Sequence, residues 1–172
     1  MKVKQQVLCA VFAAVIAICA QLIIPIQPVP ISLANFGILL AGGFLGRKYG
    51  TISVLIYILL GSIGLPIFAM GKSGISVLVG PTGGFIIGYI TTAFITGVVT
   101  EKYMDKKYII FVGMFMSVLT CYLCGISWFI FLTQMEVWQA MTICVFPFIL
   151  GDIVKVFAAG GLIIKYRYLI TK

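Results

Sequence analysis

The composition of this chain excludes an ordinary soluble protein. Of its 172 residues, 62% are hydrophobic and 9% are charged, whereas roughly 25% of the residues in a soluble domain are charged. The formal net charge of +8 does not indicate nucleic-acid binding either, because the cations are dispersed through short turns rather than gathered on one face. We predict one multi-pass, all-α domain over residues 1–172, embedded in the cell membrane among its lipids.

Six apolar segments match membrane helices. The first covers residues 7–24 with Gln21 as its only polar residue, and the prolines of the following PIQPVPIS cannot continue a helix. It lacks the small-residue cleavage site of a signal peptide, so we interpret it as a retained helix. The others occupy residues 33–46, 50–65, 82–100, 108–132 and 147–165. The second and third are shorter than the usual run of about 20 residues and contain glycine, which favours tilted or interrupted helices.

The connection between the third and fourth segments has an unusual composition. Residues 66–81, PIFAMGKSGISVLVGP, are too apolar for a solvated loop and too rich in glycine for a stable helix. Irregular backbone at membrane depth is tolerated only where protein covers it. We therefore predict a partly re-entrant loop that folds back against the helices.

The basic residues are distributed unequally between the two ends of the segments. Ten of the twelve lie on one side, namely Lys2, Lys4, Arg47, Lys48, Lys102, Lys106, Lys107, Lys165, Arg167 and Lys172. The loops on the other side contain only Lys72 and Glu136 as charged residues. Because positively charged short loops stay in the cytoplasm, we predict six helices with both termini cytoplasmic.

The sequence offers no catalytic or metal-binding motif. Residues 71–73, GKS, resemble the end of a nucleotide-binding loop, but Pro66 stands where that motif requires its first glycine. Cys121 and Cys124 have CxxC spacing, yet a zinc site needs further ligands and the chain has no histidine. We predict neither an enzyme nor a resident cofactor or metal, so any energy that the protein uses would come from a gradient or a partner.

Asp152 and Lys155 place opposite charges inside the last apolar segment. A charge at the centre of a membrane helix costs about 2.5–3.5 kcal/mol on insertion scales, so both should face the protein interior. They share one helix face, and a helix start near Pro147 puts them about 8 and 12 Å along its axis. They are interpreted either as a structural ion pair or as an outward-opening site for a small polar head group.

Five ordered motifs carry a family resemblance. The longest is GSIGLPIFAMGKSGISVLVGPTGGF, residues 61–85, and the others are PVPISL, LLAGGFLG, YLCGISWF and PFILGDIVK. Together they resemble the BioY family, the biotin-binding membrane subunits of energy-coupling factor (ECF) transporters. The resemblance covers nearly the whole chain. It implies a six-helix S component that captures biotin from outside and works with a transmembrane coupling protein, the T component, and two cytoplasmic ATPases.

The chain departs from the family pattern at a few positions. Met70 and Ser73 stand where the family commonly has glycines, Ala34 replaces a common glutamine, and Leu150 replaces a common proline. None of these changes removes Asp152 or Lys155.

The resemblance also implies roles for the charged and aromatic residues. Asp152 is expected to accept hydrogen bonds from the ureido N–H groups of biotin and Lys155 to donate one to its carbonyl, because charge-assisted hydrogen bonds are strong. The apolar fused ring needs an aromatic wall. The candidates are Trp128, Tyr122, Phe85 and Tyr89, and packing in the core is the alternative for each.

The valerate carboxylate of biotin needs a second site. Backbone N–H groups at the start of the fourth helix can hold an anion, and the residues there are Gly80, Pro81, Thr82, Gly83 and Gly84. Lys72 would add a positive charge nearby. The alternative interpretation is a tight turn that packs two helices closely.

The first helix carries a stripe of small residues. Ala10 and Ala14 form an AxxxA pair, with Ala13 and Ala17 beside them, and such residues let another helix approach closely. In the BioY-like interpretation this face docks the T component. Packing within the subunit is the alternative.

Two other classes of protein remain as alternatives. A self-contained secondary transporter of a vitamin-like solute would need an acid near the bilayer midplane and internal repeats, and neither is evident. A structural membrane protein without a ligand would have no need of Asp152 and Lys155.

Overall fold

The protein is described here by a computed structural model that covers residues 3–24 and 29–171. The helices are α1 (Val3–Gln21), α2 (Ala34–Ser62), α3 (Ile75–Val79), α4 (Gly83–Lys102), α5 (Lys107–Thr133), α6 (Val137–Cys144), α7 (Phe146–Tyr166) and α8 (Tyr168–Thr171). A short antiparallel ladder joins β1 (Ile23–Ile24) to β2 (Ile31–Ser32), and a 3₁₀ turn covers Ala69–Gly71. The predicted helical class is confirmed, with this ladder as an addition.

Five helices of the described chain are long and apolar enough to cross a membrane: α1, α2, α4, α5 and α7. Four of them, α1, α4, α5 and α7, lie within a few residues of predicted segments. Large apolar side chains such as Leu59, Leu123 and Phe131 are exposed on the outside of the bundle. A helix that is apolar on its outer face as well is typical of a membrane protein.

The predicted segments 33–46 and 50–65 correspond to the single stretch α2, which ends three residues earlier and is interrupted at Gly46. Gly46 has φ 78° and ψ −179°, outside the helical range, and glycine adopts such angles without a steric penalty. A Cβ atom built on Gly50 would lie 2.6 Å from the Cα atom of Gly42, whereas residues eight apart in a continuous helix are about 12 Å apart. The backbone therefore folds back at Gly46, which gives α2 two antiparallel arms.

Helix α4 lies between α2 and α5 and approaches both closely. A Cβ atom on Gly88 would lie 3.0 Å from the Cα atom of Cys121 in α5, and one on Gly42 would lie 2.5 Å from the carbonyl oxygen of Ala93 in α4. Buried hydroxyls add to this contact, since Thr96 and Ser117 are hydrogen-bonded at 3.0 Å. Small residues and hydroxyls are the usual means by which helices associate without water.

The basic ends of several helices meet at one end of the bundle. Arg47, at the α2 turn, pairs with Glu101 of α4 at 3.4 Å, and Arg167 donates a hydrogen bond to the carbonyl oxygen of Thr100. The loop after α2 lies at the opposite end, where Gln21 of α1 contacts it. Arg47 and Arg167, which were predicted to lie on the same side, are thus at one end of the bundle, and the loop that contains Lys72 is at the other. Lys2 and Lys172, used in that prediction, lie outside the described residues, as do residues 25–28 of the proline-rich turn.

Candidate ligand-binding site

A cavity lies at the end of the bundle away from the basic residues. It contains about 710 Å³ of empty space, a figure that includes the open solvent at its mouth. Its aromatic lining residues are Tyr57, Phe68, Phe85, Tyr89, Tyr122 and Phe148, and its other lining residues are Ala20, Val29, Pro30, Ser32, Ala34, Asn35, Ala69, Lys72, Val77, Thr82 and Ile86. The cavity is therefore a mainly apolar space with a few polar groups.

One end of the cavity is polar because of Asn35, Ser32 and Tyr122. The Tyr122 hydroxyl donates a hydrogen bond to Asp152 Oδ2, and Asn35 Nδ2 lies 3.5 Å from the same oxygen. Three helices and the β2 strand thus bring their polar groups to one place.

Asp152 and Lys155 lie behind this polar end and do not line the cavity. They are 3% and 6% exposed, and Lys155 Nζ donates to Asp152 Oδ1 at 2.8 Å and to the carbonyl oxygen of Ser32 at 2.7 Å. A buried charge is tolerated when it is paired and hydrogen-bonded. The predicted pair exists, and its contacts hold Tyr122, Asn35 and Ser32 in place at the cavity wall.

Asn35 has an unused hydrogen-bond acceptor. Its Oδ1 atom is buried and has no hydrogen-bond partner among the described residues, although the side chain lines the cavity. Leaving a buried polar atom unpaired costs about 1–3 kcal/mol. A ligand with an N–H donor at this end of the cavity would remove that cost.

The predicted turn at residues 80–84 contributes Thr82 to the cavity, and Phe85 in the first turn of α4 lines it as well. The glycines of the turn serve close packing, because a Cβ atom on Gly83 would lie 1.8 Å from the carbonyl oxygen of Leu78. Gly80, Pro81, Gly83 and Gly84 are absent from the cavity wall.

Trp128 supports this turn from outside the cavity. Its indole Nε1 donates a hydrogen bond to the carbonyl oxygen of Gly80 at 2.9 Å, and a Cβ atom on Gly84 would lie 2.3 Å from Trp128 Cβ. Trp128 lies in a separate outer groove beside Phe131. Trp128 therefore does not line the cavity, whereas Phe85 does.

The loop after α2 covers the cavity. Phe68, Ala69, Lys72 and Val77 of this loop line it. Phe68 is 1% exposed, and its ring packs edge-on against Tyr57 with centroids 5.5 Å apart. Lys72 is the only charged residue in the described part of the cavity lining, and it lies at the exposed surface.

Sequence reasoning missed Asn35, Ser32, Tyr57 and Phe68. Asn35 is the only asparagine of the chain, and an amide inside an apolar segment is a signal that could have identified it. Tyr57 and Phe68 gave no such signal, because aromatic residues are common in membrane helices. Ser32 contributes its backbone carbonyl as well as its side chain, and no sequence pattern predicts that use.

The alanine stripe of α1 divides between two faces. Ala13 is buried in the core, and Ala17 packs against it. Ala10 and Ala14 are exposed on the surface of the bundle. The surface available to a partner therefore includes Ala10 and Ala14 and excludes Ala13.

Comparisons with known proteins identify relatives over the full length. The model of the BioY family matches residues 1–172. A biotin transporter BioY from Thermotoga maritima is 34% identical over 166 residues, 96% of this chain and 97% of that protein. A probable biotin transporter BioY from Pyrococcus horikoshii is 39% identical over 167 residues, 97% of each. A crystal structure of the S-component for biotin from an ECF-type ABC transporter has a TM-score of 0.90 and 32% identity, and the match covers 97% of this chain and 92% of that one.

Proposed function

This chain belongs to the BioY family, and we propose that it captures biotin on the outer side of the plasma membrane as the substrate-binding S component of an ECF importer. The unpaired Asn35 acceptor inside an aromatic cavity is the observation that carries the ligand assignment. The high similarity to a biotin S-component supports the transport role.

The polar end of the cavity suits the ureido ring of biotin. That ring offers two N–H donors and one carbonyl acceptor. Asn35 Oδ1 accepts one N–H group, and the Tyr122 oxygen, whose own proton goes to Asp152, accepts the other. The hydroxyls of Ser32 and Tyr89 are the donors available to the ureido carbonyl. Asp152 and Lys155 act through these residues by fixing their orientation.

The rest of the ligand follows the length of the cavity. Phe85 and Phe68 provide apolar surface for the fused thiophane ring, and the valerate chain extends toward the surface. Lys72 stands there as a positive charge for the carboxylate, and the Thr82 hydroxyl is a further hydrogen-bond donor in the cavity lining. The two ends of the cavity thus match the two polar ends of biotin.

The proposed topology has six membrane crossings in one domain. The two arms of α2, which meet at Gly46, count as two crossings and add to α1, α4, α5 and α7. The basic end faces the cytoplasm under the positive-inside rule, so both termini are cytoplasmic and the loop over the cavity faces outward. That loop folds back over the cavity as a partly re-entrant segment.

Transport would depend on partner proteins. We assign no catalysis and no cofactor to this chain, and a T component with two cytoplasmic ATPases would supply the energy. The exposed Ala10 and Ala14 on α1 form the proposed docking face for the T component, since small residues allow close helix approach.

Biotin accumulation in cells tests the transport role. Cells without other biotin uptake should accumulate labelled biotin when this chain is expressed with its T component and ATPases, and inactive ATPases should abolish accumulation. Ala10→Leu/Ala14→Leu should impair accumulation and leave binding intact, with Val11→Leu, on the same exposed side of α1, as the control. Accumulation driven by an ion gradient in vesicles that contain this chain alone would overturn the proposal in favour of a secondary transporter.

A further inference from the structure

Gln21 ends α1, and its side chain bonds to the loop that covers the cavity. Nε2 donates to the carbonyl oxygens of Phe68 at 3.0 Å and Pro66 at 3.4 Å. Oε1 accepts from the backbone N–H of Gly71 at 3.2 Å. One amide therefore uses both its donor and its acceptor on three backbone groups of the same loop.

The loop backbone needs such support. Met70 and Gly71 are consecutive residues with φ of 65°, and Gly74 has φ of 90°. Positive φ is uncommon for a residue other than glycine, so the chain at Met70 is held in an unfavourable conformation. The Phe68 N–H donates to the carbonyl oxygen of Lys72 at 3.1 Å, which closes the loop on itself across these positions.

The bonded segment is the part of the loop that covers the cavity. Phe68 and Ala69 line the cavity and Lys72 stands at its opening, whereas Gln21 itself is not among the lining residues. Gln21 therefore does not contact a ligand in the cavity, and any effect of Gln21 on ligand binding must act through the loop. On the far side, Tyr57 donates to the carbonyl oxygen of Ile67 at 3.3 Å, so the segment is fastened to α2 as well.

We propose that Gln21 is a positioning residue that keeps residues 66–72 closed over the bound ligand. This inference rests on the proposed function for the identity of the ligand. Loss of the amide frees the Pro66, Phe68 and Gly71 backbone groups together, so the segment opens more often and the ligand leaves faster. The groups that hold the ureido ring stay in place, since none of them bonds to Gln21.

The test uses Gln21→Met, which keeps the length of the side chain and removes its hydrogen bonds. Gln6→Met is the control, because Gln6 is an exposed residue at the other end of α1. The measurements are the dissociation rate of labelled biotin in a chase with unlabelled biotin, the hydrogen exchange of residues 66–74 without ligand, and the melting temperature without ligand.

We expect Gln21→Met to raise the dissociation rate at least fivefold and to speed exchange in residues 66–74, with an unchanged melting temperature. Gln21→Glu keeps an acceptor for Gly71 but places a carboxylate oxygen against the carbonyl oxygens of Phe68 and Pro66, so it should also raise the rate, and it serves if Gln21→Met is not folded. Unchanged dissociation and exchange in the folded variant would overturn the proposal. A faster dissociation that comes with an equally large loss of melting temperature would also overturn it, because it would assign Gln21 to general packing.

The hydrogen-exchange measurement is independent of the ligand. If the wild-type protein bound no biotin, the proposed function would fail, while exchange in residues 66–74 would still decide whether Gln21 holds the loop. If the wild-type protein bound biotin and neither measurement responded to Gln21→Met, only the positioning role would fail.

Discussion

Asp152 and Lys155 lie one turn apart on α7 and are joined by a 2.8 Å hydrogen bond behind the cavity wall. The carboxylate also accepts a hydrogen bond from Tyr122, and the ammonium also donates to the carbonyl oxygen of Ser32. The pair is therefore both a structural brace and the support of the polar groups that face the cavity. These contacts describe the structural ion pair that the sequence suggested, whereas neither side chain lines the cavity in which the pair was expected to bind a head group.

The first prediction separates these two roles. Asp152→Asn alone leaves Lys155 without its counter-charge and should destabilise the protein by about 3–5 kcal/mol. In Asp152→Asn/Lys155→Met the charges are removed together, so the melting temperature should return toward that of the wild type. Biotin affinity should still fall at least tenfold, because a neutral amide oxygen holds Tyr122 and Asn35 more weakly than the carboxylate oxygen Oδ2 does, and Lys155→Met also releases the carbonyl of Ser32.

The control for the double variant is Arg47→Gln/Glu101→Gln, which removes an exposed ion pair at the opposite end of the bundle. It should leave biotin affinity unchanged. Undiminished biotin affinity in the folded Asp152→Asn/Lys155→Met protein would show that the pair stabilises the fold and does not support ligand binding.

The second prediction concerns the unpaired oxygen of Asn35. Asn35→Leu should lower biotin affinity about tenfold to a hundredfold, since a ligand N–H group would lose its acceptor inside an apolar cavity. The ligand-free protein should lose little stability, because the variant removes a buried oxygen that has no partner in the described chain together with the 3.5 Å contact of Nδ2 to Asp152. Isothermal titration calorimetry and thermal melting give the two quantities. Ser127→Ala, in the outer groove beside Trp128, is the control, and equal affinity in wild type and Asn35→Leu would refute the assignment.

The sequence predicted the helices better than the site, and the reason is physical. Hydropathy measures whether a segment is more stable in lipid or in water, and an apolar segment that crosses lipid must be helical. Four predicted segments therefore coincide with helices to within a few residues. The second and third segments were predicted to be short, glycine-containing helices that are tilted or interrupted. Their hydropathy did not show that they are two arms of one stretch that is interrupted at Gly46. The short helix α6 lacks a pattern of its own and was not predicted.

Residue spacing predicted that Asp152 and Lys155 share a face, and it could not say whether that face reaches the cavity. Tyr122, Phe85, Tyr89, Thr82 and Lys72 were predicted and line the cavity. Trp128 and the turn glycines were predicted as well, and they support the wall from behind. The difference depends on the rotation of each helix and on loop contacts, which sequence periodicity does not determine for helices that are apolar all round.

The third prediction concerns the charge at the opening of the cavity. Lys72→Gln should weaken biotin binding about threefold to fivefold, in keeping with the modest energy of an exposed ion pair, and the loss should shrink as salt is added. Biotin methyl ester should bind the wild type and Lys72→Gln equally well, because it has no carboxylate. Lys102→Gln, at the basic end, is the matched control. An equal loss for the acid and the ester would show that Lys72 does not bind the carboxylate.

The fourth prediction concerns Met70, a residue other than glycine with φ of 65°. Met70→Gly should slow hydrogen exchange in residues 66–74, since glycine adopts this conformation without a steric penalty. Met70→Val should speed it, because a β-branched residue is a true outlier there. Ile75→Val, at the exposed start of α3, controls for a general effect of substitution near the loop. The same exchange rate in Met70→Gly and Met70→Val would contradict the expected strain.

The fifth prediction concerns orientation. Single cysteines placed at Lys72 and Glu136 should react with a membrane-impermeant maleimide from outside, and those at Lys48 and Lys106 only from inside. The native Cys144 should contribute little background, because burial raises its pKa to about 11 and the thiolate is the reactive form. Reaction at position 106 from outside would overturn the six-crossing topology.

Titration of the purified, lipid-embedded protein with biotin tests the central claim most directly. The account predicts saturable binding of one biotin per chain. Dethiobiotin, which keeps the ureido ring, should compete, and an analogue without the ureido group should not, because Asn35 and Tyr122 would have no N–H donor to accept. Folded, monodisperse protein that binds no biotin, or that binds the analogue without the ureido group equally well, would contradict the account.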